Sequence, residues 1–211
     1  MTLVRFRDRA DAGRQLAMKL LRFLGTRSVV YGIARGGVVV AAEVAKDIGA
    51  ELDVVVVRKL GHPGSPEYAC GAITAGGDLA VKQDGDGVSE EWLESETQRE
   101  VLEAMRREAL YLEGREPVPC KGRTAIVIDD GIATGMTVEV ALLAIRRLEP
   151  ARIVVATPVT TPAAVRRFSE LADEVVAVQI PEHLHAVGQA YEDFSQVKDE
   201  EVLACLNASR V

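Results

Sequence analysis

The chain has 211 residues and a mass of 22.7 kDa. This size suits one domain that can bury a hydrophobic core without support from disulfides or bound metals. Because 48% of its residues are hydrophobic and 27% are charged, a disordered chain, a collagen and a disulfide scaffold are excluded. The net charge of −7 argues against a general nucleic-acid-binding surface, but it leaves room for a local basic pocket that binds a small anion.

Apolar runs alternate with helical patterns along the chain, which predicts strands and helices in turn. The predicted elements are, in order, helix 8–24, strand 29–33, helix 38–48, strand 52–57, helix 89–113, strand 124–128, helix 137–148, strand 153–157, a helix opened by Thr161 and Pro162, strand 174–180 and a helix from about residue 199. This alternation favours an α/β fold, with a doubly wound, mostly parallel sheet and helices on both faces, in a single domain spanning 1–211.

The segment from about residue 60 to residue 87 breaks the alternation. It contains two prolines and many glycines, with short β-like pieces only at 71–74 and 79–82. A long segment of this composition is usually functional or mobile, so we predict a flexible loop that closes over a site. The residues of this segment whose side chains could take part in acid-base chemistry or bind an anion are His62, Glu67 and Lys82.

The tail from about residue 181 to residue 211 follows the last strand, so it can reach the same edge of the sheet and form a hood there. His183 and His185 form an H-x-H pair, but no third or fourth metal ligand accompanies them. For Tyr191 and Phe194, packing is favoured over stacking on a base.

The most informative segment, V-I-D-D-G-I-A-T-G-M-T, follows the third apolar strand at residues 127–137. A Gly/Thr loop that opens a helix offers backbone N–H groups and the positive end of the helix dipole to a phosphate. Asp129 and Asp130 repel phosphate oxygens, so they suit neutral hydroxyls or a metal a few Å away. A phosphate at one end and vicinal hydroxyls at the other describe a ribose 5-phosphate.

This segment resembles the phosphoribosyl pyrophosphate (PRPP) signature of type I phosphoribosyltransferases. The resemblance implies that Asp129 and Asp130 bind the ribose 2′- and 3′-hydroxyls and contribute to a metal site mainly through water or those hydroxyls. It assigns the 5′-phosphate to the loop formed by Gly131, Ile132, Ala133, Thr134, Gly135, Met136 and Thr137. Family members that act on 6-oxopurines tend to have an acid where this chain has Ala133, which counts against a hypoxanthine or guanine acceptor.

The first two strands end in groups suited to a second anion. In the resembled family the loop after the first strand binds pyrophosphate, often through a strained or cis peptide, and this role falls to Ala34, Arg35, Gly36 and Gly37. A cation usually follows the second strand and meets the same pyrophosphate, which points to Lys59 first and Arg58 second. We therefore predict Arg35, Lys59 and Arg58 as catalytic cations for the leaving group.

The implied reaction transfers the 5-phosphoribosyl group from PRPP to a nitrogenous base or another nucleophile and releases pyrophosphate. The resemblance implies Mg²⁺ as cofactor, with PRPP and a small-molecule acceptor as ligands. Homo-oligomer formation stays open. With no signal peptide, no long apolar run and three scattered cysteines, we expect a cytoplasmic protein without membrane contact. A PRPP- or nucleotide-sensing regulator on the same fold, without transferase activity, remains the alternative.

Overall fold

The computed structural model describes residues 3–81 and 88–209, apart from the side chains of residues 65–68. Its helices are α1 (Arg9–Leu20), α2 (Gly36–Ile48), α3 (Glu90–Leu112), α4 (Met136–Arg146), α5 (Pro162–Leu171) and α6 (Asp199–Ala208). Its strands are β1 (Ser28–Ile33), β2 (Glu51–Val55), β3 (Val57–His62), β4 (Ser65–Thr74), β5 (Leu79–Val81), β6 (Thr124–Ile128), β7 (Arg152–Val159) and β8 (Glu174–Gln179).

Five parallel strands form the central sheet in the order β2-β1-β6-β7-β8. Alternate residues of each strand enter different apolar clusters, as the period of two in a strand requires. Val30 of β1 packs with α1, α2 and α6 on one face, whereas Val29 and Tyr31 pack with α4 and α5 on the other. The predicted α/β class, with a parallel sheet covered on both faces, is confirmed.

The helix boundaries follow local sequence signals. Ser89 caps α3 by accepting a hydrogen bond from the Trp92 N–H, and Thr161 caps α5 in the same way with Pro162 in the first turn, as preferred cap residues do. The helix predicted from residue 8 to residue 24 is shorter: α1 ends at Leu20 and a 3-10 turn follows over Leu21–Phe23.

Two predictions around residue 60 are corrected. The valine run at 52–57 is not one strand, because it leaves the parallel sheet at Val55 and β3 begins at Val57. Most of the described residues from 60 to 81, expected as a loop, form an antiparallel sheet in the order β3-β4-β5. This small sheet has its own apolar cluster of Leu60, Cys70 and Ile73, which packs against α3. The segment is therefore regular secondary structure with a packed side, and not a loop.

β1 and β6 are neighbours in the parallel sheet, and each is followed by a loop that leads into a helix, α2 and α4 respectively. Loops that follow adjacent parallel strands emerge at the same edge, where ligands of open α/β sheets bind. No helix among the described residues is long and apolar enough to cross a membrane.

Candidate functional site

Two adjacent carboxylates lie just beyond the end of β6. Asp129 Oδ1 accepts a hydrogen bond from the Asp130 backbone N–H at 2.9 Å, and Thr137 Oγ1 lies 3.5 Å from Asp129 Oδ2. Asp130 Oδ2 accepts a hydrogen bond from Arg9 Nε at 2.7 Å. The pair is therefore held from two sides, by the first turn of α4 and by the first turn of α1.

The surroundings of this pair disfavour two negative charges. Burial, and then the charge of Asp130, raise the pKa of Asp129 to about 7. Burial also raises the pKa of Asp130, although the charges of Arg9 and Lys59 oppose that shift. Carboxylates in such a setting are stabilised in their ionised form when a ligand brings hydroxyl donors or a cation.

The loop between the acid pair and α4 has the form of an anion cradle. Gly135 is the N-cap of α4 with φ +80°, and a Cβ there would lie 2.5 Å from the Phe168 ring, so only glycine fits. The Ile132 N–H donates to Val159 O at 2.9 Å; among the described hydrogen bonds of this loop, none uses the N–H groups of residues 133–137. These groups and the helix dipole suit a phosphate.

The loop after β1 packs directly on the acid pair. A Cβ added to Gly36 would overlap Asp130 Oδ2, and one added to Gly37 would lie 2.6 Å from the carbonyl oxygen of Ile128. The two loops that the resemblance assigns to pyrophosphate and ribose therefore meet in space, and glycine at both positions permits that approach.

Arg35 stands at the N-terminus of α2, after a cis peptide bond with Ala34. Its Nη1 lies 3.7 Å from Asp199 Oδ1 in α6, and its side chain is 22% exposed. Tyr111 donates its hydroxyl hydrogen to the same Asp199 oxygen at 2.6 Å. The guanidinium is therefore anchored on one side by α6 while part of its surface stays accessible.

Arg58 and Lys59 diverge, because successive side chains of a strand point to opposite faces. Arg58 Nε lies 2.7 Å from Glu100 Oε2 on α3, and the Glu100 side chain is only 6% exposed. Lys59 is exposed and close enough to the acid pair for its charge to lower the pKa of both carboxyls. The structure thus brings Lys59 to the site, whereas it commits Arg58, predicted as a catalytic cation, to an ion pair with α3.

The tail, which was expected to reach this edge of the sheet, contacts the site through Tyr191 and Val187. Tyr191 donates its hydroxyl hydrogen to the carbonyl oxygen of Asp130 at 2.6 Å, and its ring lies 5.0 Å from that of Phe194. A Cβ on Gly131 would overlap the side chain of Val187. The tail therefore packs against the phosphate loop and the acid pair, and the packing role favoured for its aromatic residues agrees with these contacts.

Arg9 contacts the acid pair, and sequence reasoning missed it. One signal was present: α1 begins with an arginine, although a cation in the first turn of a helix opposes the helix dipole. The signal is weak, because Asp8 and Asp11 lie in the same turn and offset the charge locally.

The remaining candidates lie away from these contacts. His62 Nδ1 accepts a hydrogen bond from the Gly64 N–H at 3.0 Å, and His183 and His185 are exposed. Lys82 lies outside the described residues, as does the side chain of Glu67. Within the described part of the chain, no group of three His, Cys, Asp or Glu side chains could hold a metal ion.

Comparison with known proteins identifies the family, because a model described as "Phosphoribosyl transferase domain" matches residues 3–194. The chain belongs to the phosphoribosyl transferase domain family. The resemblance carried by the Asp129–Asp130 segment is thereby confirmed at the level of the family.

Curated proteins and a solved structure resemble the chain over nearly its whole length. Two Mycobacterium tuberculosis proteins, from strains CDC 1551 / Oshkosh and H37Rv and each provisionally named a phosphoribosyl transferase, are 43% identical over 205 residues, 96% of this chain and 46% of each relative. The chain thus spans about half the length of the curated relatives it matches. The crystal structure of TT1426 from Thermus thermophilus is 45% identical with a TM-score of 0.78, covering 96% of this chain and 98% of that one.

Proposed function

We propose that the chain binds PRPP and transfers its 5-phosphoribosyl group to a nitrogenous base or another nucleophile, releasing pyrophosphate. The observation that carries the proposal is the juxtaposition of the Asp129–Asp130 pair with the helix-opening loop at residues 131–137. This edge of the sheet offers carboxylate acceptors for two hydroxyls beside free N–H donors for a phosphate.

The ribose end of the substrate would be held by the acid pair. The carboxylates accept hydrogen bonds from the 2′- and 3′-hydroxyls, and these bonds favour the ionised form that burial opposes. The 5′-phosphate would lie at the N-terminus of α4, where the helix dipole is positive. Together the two contacts would hold the sugar next to the loop after β1, which packs on the acid pair.

The leaving group would be held by Arg35 and Lys59. When the bond between C1 and the pyrophosphate oxygen breaks, positive charge develops on the sugar and negative charge grows on pyrophosphate. Cations fixed in advance near the growing charge stabilise the transition state more than the ground state. Arg58 stays the second candidate after Lys59, because its guanidinium already pairs with Glu100 at 2.7 Å.

The donor set also fits Mg²⁺. Asp129 and Asp130 supply hard anionic oxygens in a buried setting, and Mg²⁺ in proteins is commonly held by one or two carboxylates, several waters and substrate phosphates. When bound, Mg²⁺ would offset the charge of the pyrophosphate as it leaves. The described residues lack a larger ligand cluster, so we propose that substrate and water supply most of the ligands.

The decisive experiment compares the wild type with the Asp129→Asn/Asp130→Asn double variant. Each lost hydrogen bond to a charged acceptor is worth about 1.5–3 kcal/mol, so calorimetry with PRPP and Mg²⁺ should show a large loss of affinity. Asp47→Asn, a change of an exposed acid on α2, is the matched control. Unchanged PRPP affinity in the folded double variant would refute the assignment.

A screen for pyrophosphate release, with PRPP, Mg²⁺ and a panel of bases, then separates the transferase from a sensor. A transferase releases pyrophosphate with at least one acceptor. A regulator that only senses PRPP binds it with the same dependence on the acid pair and releases none.

A further inference from the structure

Arg9 is held at the site by three kinds of contact. Its Nε donates to Asp130 Oδ2 at 2.7 Å, and its Nη1 donates to the carbonyl oxygen of Ser195 at 2.8 Å. Its guanidinium carbon lies 4.0 Å from the centre of the Phe194 ring, within the range of a cation–π contact. The side chain is 11% exposed, so its orientation is set by the fold.

The backbone that carries Arg9 is equally constrained. Asp8 Oδ1 accepts the Asp11 N–H at 2.7 Å and so caps the start of α1. Just before it, Phe6 exchanges two backbone hydrogen bonds of 2.8 Å with the tail, donating to Ala190 O and accepting from the Glu192 N–H. Because the tail also supplies Phe194, the same pairing that fixes the start of α1 positions the ring beneath the guanidinium.

The direction of the bond to Asp130 leaves the second carboxylate oxygen free for a ligand. Arg9 Nε occupies Oδ2, the oxygen nearest to Gly36, and among the described hydrogen bonds no side chain of another residue donates to Asp130 Oδ1. A carboxylate with one oxygen anchored and the other open is preorganised to accept a hydroxyl. The charge of Arg9 also partly offsets the two adjacent acids.

We infer that Arg9 is a positioning residue, which holds the Asp130 carboxylate in the orientation that binds a ribose hydroxyl. This inference rests on the proposed function. Arg9 itself does not touch the substrate: its effect on ribose binding passes through Asp130. The start of α1 and the tail together thus complete the ribose site through one guanidinium.

The test is a double-mutant cycle with ribose 5-phosphate as the probe, measured by calorimetry. Arg9→Gln should weaken ribose 5-phosphate binding about 10-fold when Asp130 is present, as expected for loss of an anchoring bond to a charged group. When Asp130→Ala is already in place, which removes both acceptor oxygens, Arg9→Gln should change the affinity by less than about twofold. A residue that merely supports the fold would weaken binding in both backgrounds.

Two further variants serve as controls for the double-mutant cycle. Arg14→Gln changes an arginine on the same helix that pairs only with Asp11 and Glu43 at 3.6–4.0 Å among the described contacts, and it should leave binding unchanged. Arg9→Lys keeps the charge but loses the planar fork that bonds Asp130 and the Ser195 carbonyl oxygen at once. Its affinity for ribose 5-phosphate should therefore fall between those of the wild type and Arg9→Gln. If Arg9→Gln does not fold, the cycle is run with Arg9→Lys.

The outcomes separate the inference from the proposed function. If Asp130→Ala alone leaves ribose 5-phosphate affinity unchanged, both fail. If Asp130→Ala weakens binding but Arg9→Gln does not, or if Arg9→Gln weakens binding equally in both backgrounds, only the role of Arg9 is overturned. Tighter binding after Arg9→Gln also overturns it, because Arg9 would then compete with the ligand for Asp130.

Discussion

Acids meet arginines in two different settings in this chain. On α3, Glu103 accepts hydrogen bonds from Arg106 and then Arg107, and these bonds lower its pKa to about 2. At the end of β6, Asp130 also accepts a short bond from an arginine, yet burial raises its pKa.

The difference arises from solvation. The carboxylate on α3 keeps water around it, so its arginine partners decide its ionisation. Asp130 is less accessible, since its side chain is 14% exposed against 29% for Glu103, and its desolvation outweighs the attraction of Arg9. The first arrangement lies on a helix surface, whereas the second keeps two carboxyls with raised pKa values side by side, which is a pattern often found at functional sites.

The largest effect should appear when the site loses its cations. We expect Arg35→Ala and Lys59→Ala each to reduce kcat about 100-fold, because cations at the leaving group act mainly in the transition state, while ribose 5-phosphate binding stays nearly unchanged. The measurement is steady-state kinetics with an identified acceptor, with Arg14→Ala as the surface control. Poor ribose 5-phosphate binding with normal turnover would mean that the two anion pockets are assigned the wrong way round.

We expect a slightly smaller effect when a side chain is added at Gly36, which packs against Asp130. In Gly36→Ala the new Cβ would overlap Asp130 Oδ2, so the carboxylate must move and PRPP affinity should fall at least about 10-fold. Calorimetry with PRPP measures the change. In Gly76→Ala, where the nearest atom is 3.6 Å from the added Cβ, affinity should be unaffected; equal losses in both variants would contradict the prediction.

The comparison also predicts opposite pH dependences. Because the pKa of Asp129 is raised from 3.8 to about 7 in the folded chain, its contribution to stability is complete below about pH 4 and is lost as the pH rises through 7. Asp129→Asn should therefore be more stable than the wild type by about 1–3 kcal/mol above pH 7 and lose this advantage near pH 4.

Urea unfolding across this pH range, without substrate or metal, measures the difference. Asp47→Asn serves as the exposed control and should show no such trend. A difference between Asp129→Asn and the wild type that is constant with pH would show that the carboxyl is not held in an unfavourable ionised form.

The smallest effect belongs to the helix surface. The pKa of Glu103 is lowered from 4.5 to about 2, so its stabilising contribution is present above about pH 4.5 and is lost as the pH falls through 2. Glu103→Gln should reduce the free energy of unfolding by less than about 1 kcal/mol near neutral pH, and high salt should shrink the loss. Glu94→Gln, on the same helix, is the control; a salt-independent loss would contradict a surface ion pair.

Local sequence was sufficient for the parallel sheet and for one side of the site. The run at residues 124–128 is apolar enough to be a buried strand, and the acids, glycines and threonines that follow it are adjacent in the chain. Strand, acid pair, loop and helix therefore form one continuous unit, whose geometry depends on local hydrogen bonds and on glycine conformations. Such a unit can be predicted without knowing what packs against it.

Residues far apart in the chain were brought together only by the tertiary structure. Arg9 and Asp130 are 121 positions apart, and no periodic pattern links them. The sequence ranked Lys59 before Arg58, but the ion pair between Arg58 and Glu100 of α3, and the packing of the small sheet on that helix, appeared only in the structure. Side-chain direction and partner are properties of packing, so the sequence could propose Arg35, Lys59 and Arg58 for the site but could not show that Arg9 reaches it or that Arg58 pairs with Glu100.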